Sequence, residues 1–216
     1  MVVCISNFEP QNTELPQSRS HYAFTLWLKI SYTLFICILV PIYWKQYGPG
    51  NFLWFSDIAL FVTAAALWLE SSLLVSMMAV SVVVLESIWI IDFLIGLVAG
   101  SPVIGLSAYM FDSKIPLPIR ALSLFHVVLP ILLLWLLYRL GYDRRALLAQ
   151  TLLAWIVLPL SYFLTKRTDN VNWVYGVSGG TQKWMPAPLY LVLLMIAFPL
   201  ALYLPTHLVL KRLFNQ

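Results

Sequence analysis

Charged residues are scarce in this chain, and their scarcity excludes most soluble proteins. Only 10% of the 216 residues are Asp, Glu, Lys or Arg, whereas 61% are hydrophobic. An ordinary soluble domain has roughly 25% charged residues and about 45–50% apolar ones. A compact body in water cannot cover so much apolar surface, and a disordered chain needs more charge. The composition therefore predicts a protein whose solvent is the lipid bilayer.

Cysteines are few, and the common metal, redox and nucleotide-binding motifs are missing. The two cysteines, Cys4 and Cys37, have no metal-ligand spacing, and we expect no disulfide between them. The sequence has no HExxH, no paired CxxC and no P-loop, and GVSGG at 176–180 is interpreted as a flexible loop, so no metal and no cofactor are predicted. The net charge of +4 comes mainly from Lys and Arg that flank apolar runs. This placement indicates membrane lipids, not nucleic acid, as partners.

Long apolar runs, by contrast, recur along the chain. A membrane-spanning helix needs roughly 20 apolar residues. Six such spans are predicted, at about 22–44, 52–69, 73–99, 121–140, 146–165 and 188–210. Residues 1–20 form a polar tail without the apolar core of a cleavable signal peptide, and residues 21–216 form one transmembrane domain. The predicted fold class is an all-α, polytopic transmembrane helix bundle with short loops.

The connections and interfaces also have recognisable sequence patterns. The segment 100–120 is half apolar and contains three prolines, so we expect an interfacial or re-entrant segment there. Lys29 lies near one end of the first span and is expected to reach the interface. The aromatic residues at 43–44, 173–175 and 184 predict an interfacial belt.

The basic residues divide almost evenly between the two sides of a six-span protein. The side of the N-terminus has seven and the other side six. A tight basic hairpin at 139–145 and the pair Lys211-Arg212 lie next to span ends, where such charges count most. We therefore expect both termini in the cytoplasm, in a bacterial inner membrane. The oligomeric state is left open.

Four ionisable residues lie within the apolar spans, where each costs at least about 2.5 kcal/mol and marks a candidate functional site. Asp57 is interpreted either as the N-cap of the second span or as a carboxylate facing a cavity. Glu86 is in the middle of the third span, so it is either protonated or paired with a base. Asp92 lies six residues further on, about 240° away around the helix, and is expected to reach the interface.

His126 is the fourth of these residues and the most informative. It precedes Pro130 by four positions, and proline has no N–H to bond the carbonyl at that distance. The backbone carbonyl of His126 therefore has no helical hydrogen-bond donor, and it lies in the same turn as the imidazole. A buried His of this kind is a general base, a metal ligand or a structural hydrogen-bonding group.

Several motifs in the second half of the chain resemble those of a known family. They are SLFHVVLP at 123–130, YDRRALL at 142–148, SYFLT at 161–165 and NVNWVYG at 170–176. In their order, these motifs resemble the androgen-induced gene 1 (FAR-17a) family, and the chain is similar in outline to YwaF-like bacterial membrane proteins. The resemblance covers roughly residues 50–176.

The resemblance implies an intramembrane hydrolase of esters of hydroxy fatty acids that uses a Thr and a His. It assigns the His role to His126. When FLWFSD is matched to the family's Thr motif, Trp54 falls at the Thr and Asp57 at the following Asn. The hydroxyl would then have to come from Ser56 or from Thr63, neither of which is in register.

Three functional hypotheses follow. In the first, the protein is an intramembrane hydrolase of a lipid or lipophilic ester, with His126 as base, Ser56 as nucleophile and Asp57 or Glu86 as the orienting carboxylate. In the second, it is a non-enzymatic binding, scaffold or small transport protein in which Glu86 and His126 form a buried polar pair. In the third, His126, Asp57 and Glu86 bind a metal ion.

Overall fold

A computed structural model describes residues 24–177 and 180–214, and all regular structure within them is helical. The polar tail predicted at residues 1–20 lies outside these residues. The α-helices are α1 (Leu26–Tyr47), α2 (Phe55–Leu69), α3 (Ser72–Ala99), α4 (Leu117–Leu122), α5 (Phe125–Leu140), α6 (Ala146–Leu164), α7 (Ala187–Ala197) and α8 (Leu204–Phe214). Short 3₁₀ turns occupy Pro49–Leu53, Ala108–Phe111 and Val171–Trp173, and a π-helical turn, Phe198–Tyr203, joins α7 to α8.

Five helical segments are long and apolar enough to cross a membrane. They are Leu26–Tyr47, Ser72–Ala99, Leu117–Leu140, Ala146–Leu164 and Ala187–Phe214. Large apolar side chains such as Trp27, Val98 and Phe163 point outwards, as expected where lipid replaces water. The prediction of an all-α membrane bundle is confirmed. All six predicted spans coincide with helical segments, although the second, α2, has only 15 residues.

Helix α3 is the central helix, because it packs against α2, α5 and α6. Its buried face contains small side chains, including Ser76, Ala79 and Ser81, which let neighbouring helices approach closely. Gln150 of α6 donates from Nε2 to Ser81 Oγ at 2.9 Å and to the Tyr203 hydroxyl at 3.3 Å. A polar cluster thus connects α3, α6 and the π-helical turn within the apolar bundle.

The end of the bundle at which α1 begins is called the N-terminal end here. There, Nζ of Lys29 in α1 lies 2.7 Å from Oε1 of Glu70, the residue that follows α2. Lys29 therefore forms an ion pair with another helix end and does not extend into the headgroups unpaired. The Asp143 N–H donates to Ser76 Oγ at 2.9 Å, and the Tyr142 hydroxyl and His207 Nδ1 are 2.7 Å apart. These contacts connect the α5–α6 link to α3 and α8.

At the opposite end, the segment after α3 folds back onto that helix. Asp92 accepts hydrogen bonds from the backbone N–H groups of Ile104 at 2.7 Å, Gly105 at 3.4 Å and Ser107 at 2.9 Å, and from Ser107 Oγ at 2.9 Å. Asp92, which is expected to reach the interface, is thus fully buried beneath the segment that folds back onto α3. Gly96 permits the return, because a Cβ atom there would lie 2.6 Å from the Phe111 ring.

The loop after α6 is also folded into the bundle. The side chain of Asn172 is buried and bonds to α6 and to the start of α2, and Tyr175 is buried against Tyr162. The predicted aromatic belt is therefore only partly right. Trp44 and Trp184 are exposed as expected, whereas Tyr43 and Tyr175 are interior residues.

Candidate functional site

A cavity of about 540 Å³ lies inside the bundle, towards the end opposite the N-terminal end. Seven parts of the chain build it: the last turns of α1, the start of α2 with the turn before it, the middle of α3, the segment 104–109, the start of α5 with the residue Ser123 before it, the loop after α6 and Phe198 of the π-helical turn. A concave, mainly apolar site with a few convergent polar groups is the usual form of a ligand pocket. Three of the four ionisable residues predicted within the spans line this cavity, namely Asp57, Glu86 and His126.

Glu86 and His126 form a direct pair in the wall of the cavity. Glu86 Oε2 lies 2.7 Å from His126 Nδ1, and the two side chains are only 5% and 15% exposed. A buried carboxylate needs such a partner, because an isolated charge at this depth is costly. When Glu86 is ionised, Nδ1 of a neutral imidazole carries the proton that is donated to Glu86, and Nε2 is the basic nitrogen.

Aromatic rings hold the imidazole of His126 on both sides. The Trp89 ring stacks on it with a centroid distance of 4.8 Å, and the Phe125 ring stacks with a centroid distance of 4.1 Å. Within the described residues, Nε2 of His126 has no hydrogen-bonding partner. The side chain is thus oriented by Glu86 and by two rings, which leaves Nε2 available for proton transfer within the cavity.

Asp57 occupies the first turn of α2, but it does not cap this helix. The N-cap position belongs to Trp54, and the Phe55 N–H donates to Oδ1 of Asn172 at 3.0 Å. The interpretation of Asp57 as an N-cap is therefore wrong. The side-chain oxygen of Asn172, from the loop after α6, accepts the hydrogen bond from the first N–H group of α2 instead. Asp57 Oδ2 accepts one long hydrogen bond, 3.3 Å, from Asn51 Nδ2, and Oδ1 is buried without a partner.

The two hydroxyl groups considered as nucleophiles differ in position. Ser56 is half-buried and lines the cavity, although no hydrogen bond joins it to His126 in the described part of the chain. Thr63 is fully buried two turns deeper in α2 and is not part of the cavity wall. Of the two, Ser56 is therefore the one that a bound molecule can reach.

Other polar groups in the wall were missed by the sequence analysis. The Tyr43 hydroxyl lies 2.6 Å from Ser123 Oγ, and Tyr109 also lines the cavity. Burial, partly offset by the Ser123 hydroxyl, raises the pKa of Tyr109, so its phenol remains protonated. Ser123 marks the break between α4 and α5 and lies three residues before His126, a signal that sequence reasoning could have used.

A metal site at this position finds no support in the geometry. Although Asp57, Glu86 and His126 line one cavity, residues 24–177 and 180–214 contain no group of three or more His, Cys, Asp or Glu side chains that could hold a metal ion. Glu86 and His126 satisfy each other instead. The third functional hypothesis is therefore not carried further.

The fold and the cavity together define the class of protein. It is a helical integral membrane protein with a mainly apolar cavity inside the bundle, lined by aromatic rings and a few polar groups. Comparison of the chain with protein-family models, with curated proteins and with solved structures finds no match.

Proposed function

We propose that the protein is an intramembrane hydrolase of a lipid or lipophilic ester, with His126 as the general base. The observation that carries this proposal is the 2.7 Å contact between Glu86 Oε2 and His126 Nδ1 in the wall of a mainly apolar cavity. A carboxylate that holds one ring nitrogen while the other is available is the arrangement of a base and its orienting group. The order of motifs that resembles the androgen-induced gene 1 family points to the same residue.

In the proposed reaction, His126 Nε2 removes a proton from a hydroxyl group in the cavity, and that oxygen attacks the ester carbonyl carbon. The resulting imidazolium is stabilised by Glu86 and returns the proton to the departing alkoxide as the C–O bond breaks. If Ser56 supplies the hydroxyl, an acyl-Ser56 intermediate forms and a water molecule then hydrolyses it. If a water molecule supplies the hydroxyl, the acid is released directly.

The test uses the purified protein in lipid nanodiscs with p-nitrophenyl decanoate as reporter substrate. His126→Gln is expected to lower kcat by about 10²–10⁴-fold, the usual contribution of a general base. The matched control is His207→Gln, because His207 is also buried but contacts Tyr142 at the N-terminal end. Unchanged turnover in His126→Gln, or no turnover in the wild-type protein, overturns the proposal.

Labelling with a fluorophosphonate probe identifies the nucleophile. Loss of labelling in Ser56→Ala, together with loss of hydrolysis, assigns the attack to Ser56. Hydrolysis that persists in Ser56→Ala but is lost in His126→Gln assigns it to water.

One observation favours a second candidate, a non-enzymatic membrane protein that binds or transports a small molecule. The rings of Trp89 and Phe125 stack on the His126 imidazole, and such packing suits a structural residue as well as a catalytic one. In that case His126→Gln and Glu86→Gln lower the thermal stability of the protein, and no ester is hydrolysed in any variant.

We also propose that the protein lies in a bacterial inner membrane with both termini in the cytoplasm. The support is the basic hairpin between α5 and α6 and the pair Lys211-Arg212, which lie at the N-terminal end next to the apolar helix segments.

A further inference from the structure

The charges around the cavity do not balance. Asp57, Glu86 and Asp169 line it, and the wall residues include no Lys or Arg within the described ranges. His126 is the basic group of the wall, and Glu86 already engages it. Even when His126 is protonated, its charge is matched by Glu86. The carboxylate of Asp57 is therefore left without a cationic partner.

The hydrogen bonding of Asp57 is equally incomplete. An ionised carboxylate accepts up to about four hydrogen bonds, and Asp57 accepts one long bond from Asn51. Its Oδ1 atom is buried and has no partner, and the residue as a whole is only 3% exposed. The first turn of α2 favours the negative charge through the helix dipole, but this effect supplies no donor to Oδ1. The missing group is thus a hydrogen-bond donor and, by charge, a cation.

Aromatic rings surround the same space. Tyr47, Trp54 and Trp173 line the cavity, and the rings of Trp54 and Trp173 meet edge to face with centroids 6.3 Å apart. Trp54 is three residues before Asp57, and Tyr47 closes the end of α1. The faces of such rings attract organic cations, and Trp is the most effective of them.

We infer that this cavity binds an organic ammonium group that carries N–H bonds, with Asp57 as its anionic partner and the aromatic wall around it. A protonated amine fits better than a quaternary ammonium, because only the former can donate a hydrogen bond to the Asp57 carboxylate. This inference rests on the proposed function in one respect: it assigns an amine-bearing headgroup to the lipophilic substrate. Binding itself requires neither His126 chemistry nor turnover.

The two sources of such a group are a lipid headgroup and a free amine, and the test separates them. The protein is reconstituted in phosphatidylcholine nanodiscs, which provide a quaternary ammonium background. Phosphatidylethanolamine or phosphatidylglycerol is then added, and bound lipid is counted by native mass spectrometry. Free ethylammonium and tetramethylammonium are titrated separately by calorimetry.

We expect selective binding of phosphatidylethanolamine over phosphatidylglycerol, or of ethylammonium over tetramethylammonium. Asp57→Asn should weaken that binding by about 30-fold or more, since it removes one partner of a buried charge pair. The matched control is Asp112→Asn, because Asp112 is exposed and outside the cavity wall. Binding of the lipid alone assigns the site to a headgroup, and binding of ethylammonium assigns it to any amine small enough to enter.

The inference is overturned if Asp57→Asn binds the amine as tightly as the wild-type protein does. It is also overturned if phosphatidylglycerol binds as well as phosphatidylethanolamine. Since Asn has the shape of Asp, a folded Asp57→Asn protein is expected, and its thermal unfolding is recorded alongside. Failure of the hydrolase proposal leaves this result intact, because binding is measured without turnover.

Discussion

Two acidic side chains, Asp57 and Glu86, share one cavity but differ in what satisfies them. Glu86 has an imidazole at 2.7 Å, whereas Asp57 has a single long bond to an amide. The free-energy cost of burying a carboxylate without hydrogen-bond donors exceeds the stabilisation that the helix dipole provides. The dipole contributes about 0.3–1 kcal/mol, and an unsatisfied buried polar group costs about 1–3 kcal/mol, more when charged. Asp57 is therefore a residue that lowers the stability of the empty protein.

This difference predicts opposite effects of two similar substitutions. Asp57→Asn is expected to raise the free energy of unfolding of the ligand-free protein by about 1 kcal/mol or more at pH values at which Asp57 is ionised, because it replaces an unpaired buried charge by a neutral amide. Glu86→Gln is expected to lower it, because the partner of His126 is lost. Thermal unfolding in one detergent compares the two, with Asp112→Asn as the reference for an exposed carboxylate. A lower melting temperature for Asp57→Asn would contradict this prediction.

The ionisable part of the site is predictable from the sequence, but its surroundings are not. Acids and a His within apolar runs are visible in any sequence, so Asp57, Glu86 and His126 could be named. Asn172 could not be named, because no local sequence pattern marks a loop side chain that caps a helix more than a hundred positions away. The contact between Tyr43 and Ser123 could not be predicted either, because it joins residues 80 positions apart.

At the scale of elements, two polar side chains fold connecting segments back into the bundle. Asp92 holds residues 104–107, and Asn172 joins the loop after α6 to the start of α2 through the Leu53 carbonyl and the Phe55 N–H. Sequence composition predicted that the first segment is not a free loop. It could not predict the anchor, since the direction of Asp92 depends on how α3 is rotated in the bundle.

Replacement of this anchor tests its role. Asp92→Asn removes one acceptor oxygen and places an NH₂ group among N–H donors, so the segment 104–107 should detach from α3. We expect a loss of about 1.5–3 kcal/mol in stability, the contribution of hydrogen bonds to a charged group. Faster amide hydrogen exchange at Ile104 and Ser107 reports the detachment. Unchanged exchange there would show that apolar packing around Gly96 and Phe111 holds the segment without Asp92.

At the scale of the whole molecule, the two ends of the bundle are chemically distinct. The N-terminal end has ion pairs such as Lys29–Glu70 and Arg145–Asp143, and the Arg145 guanidinium holds the pKa of Asp143 below its usual value. The opposite end contains the cavity and its buried acids. Composition alone established the membrane class and the approximate spans, because both depend only on the length and hydrophobicity of the runs.

The orientation of these ends is open to direct measurement. In a variant without native cysteines, Lys183→Cys is placed in the exposed loop before α7, and Lys211→Cys is placed near the end of α8. With both termini in the cytoplasm, a membrane-impermeant maleimide added to spheroplasts should label position 183 and not position 211. Labelling of position 211 alone would reverse the orientation. Lysed cells, in which both positions react, provide the control.

The brevity of α2 has a consequence for the surrounding bilayer. Its 15 residues span about 22 Å, whereas the hydrocarbon core is about 30 Å thick. Since its last turn ends beside the Lys29–Glu70 ion pair at the N-terminal end, its first turn, with Asp57, is expected to lie below the opposite headgroup plane. A hydrophobic mismatch of this kind thins the adjacent leaflet or draws polar groups inwards. We therefore expect membrane thickness to determine how easily a lipid headgroup enters the cavity. The acyl-chain length of the surrounding lipids would then regulate the protein.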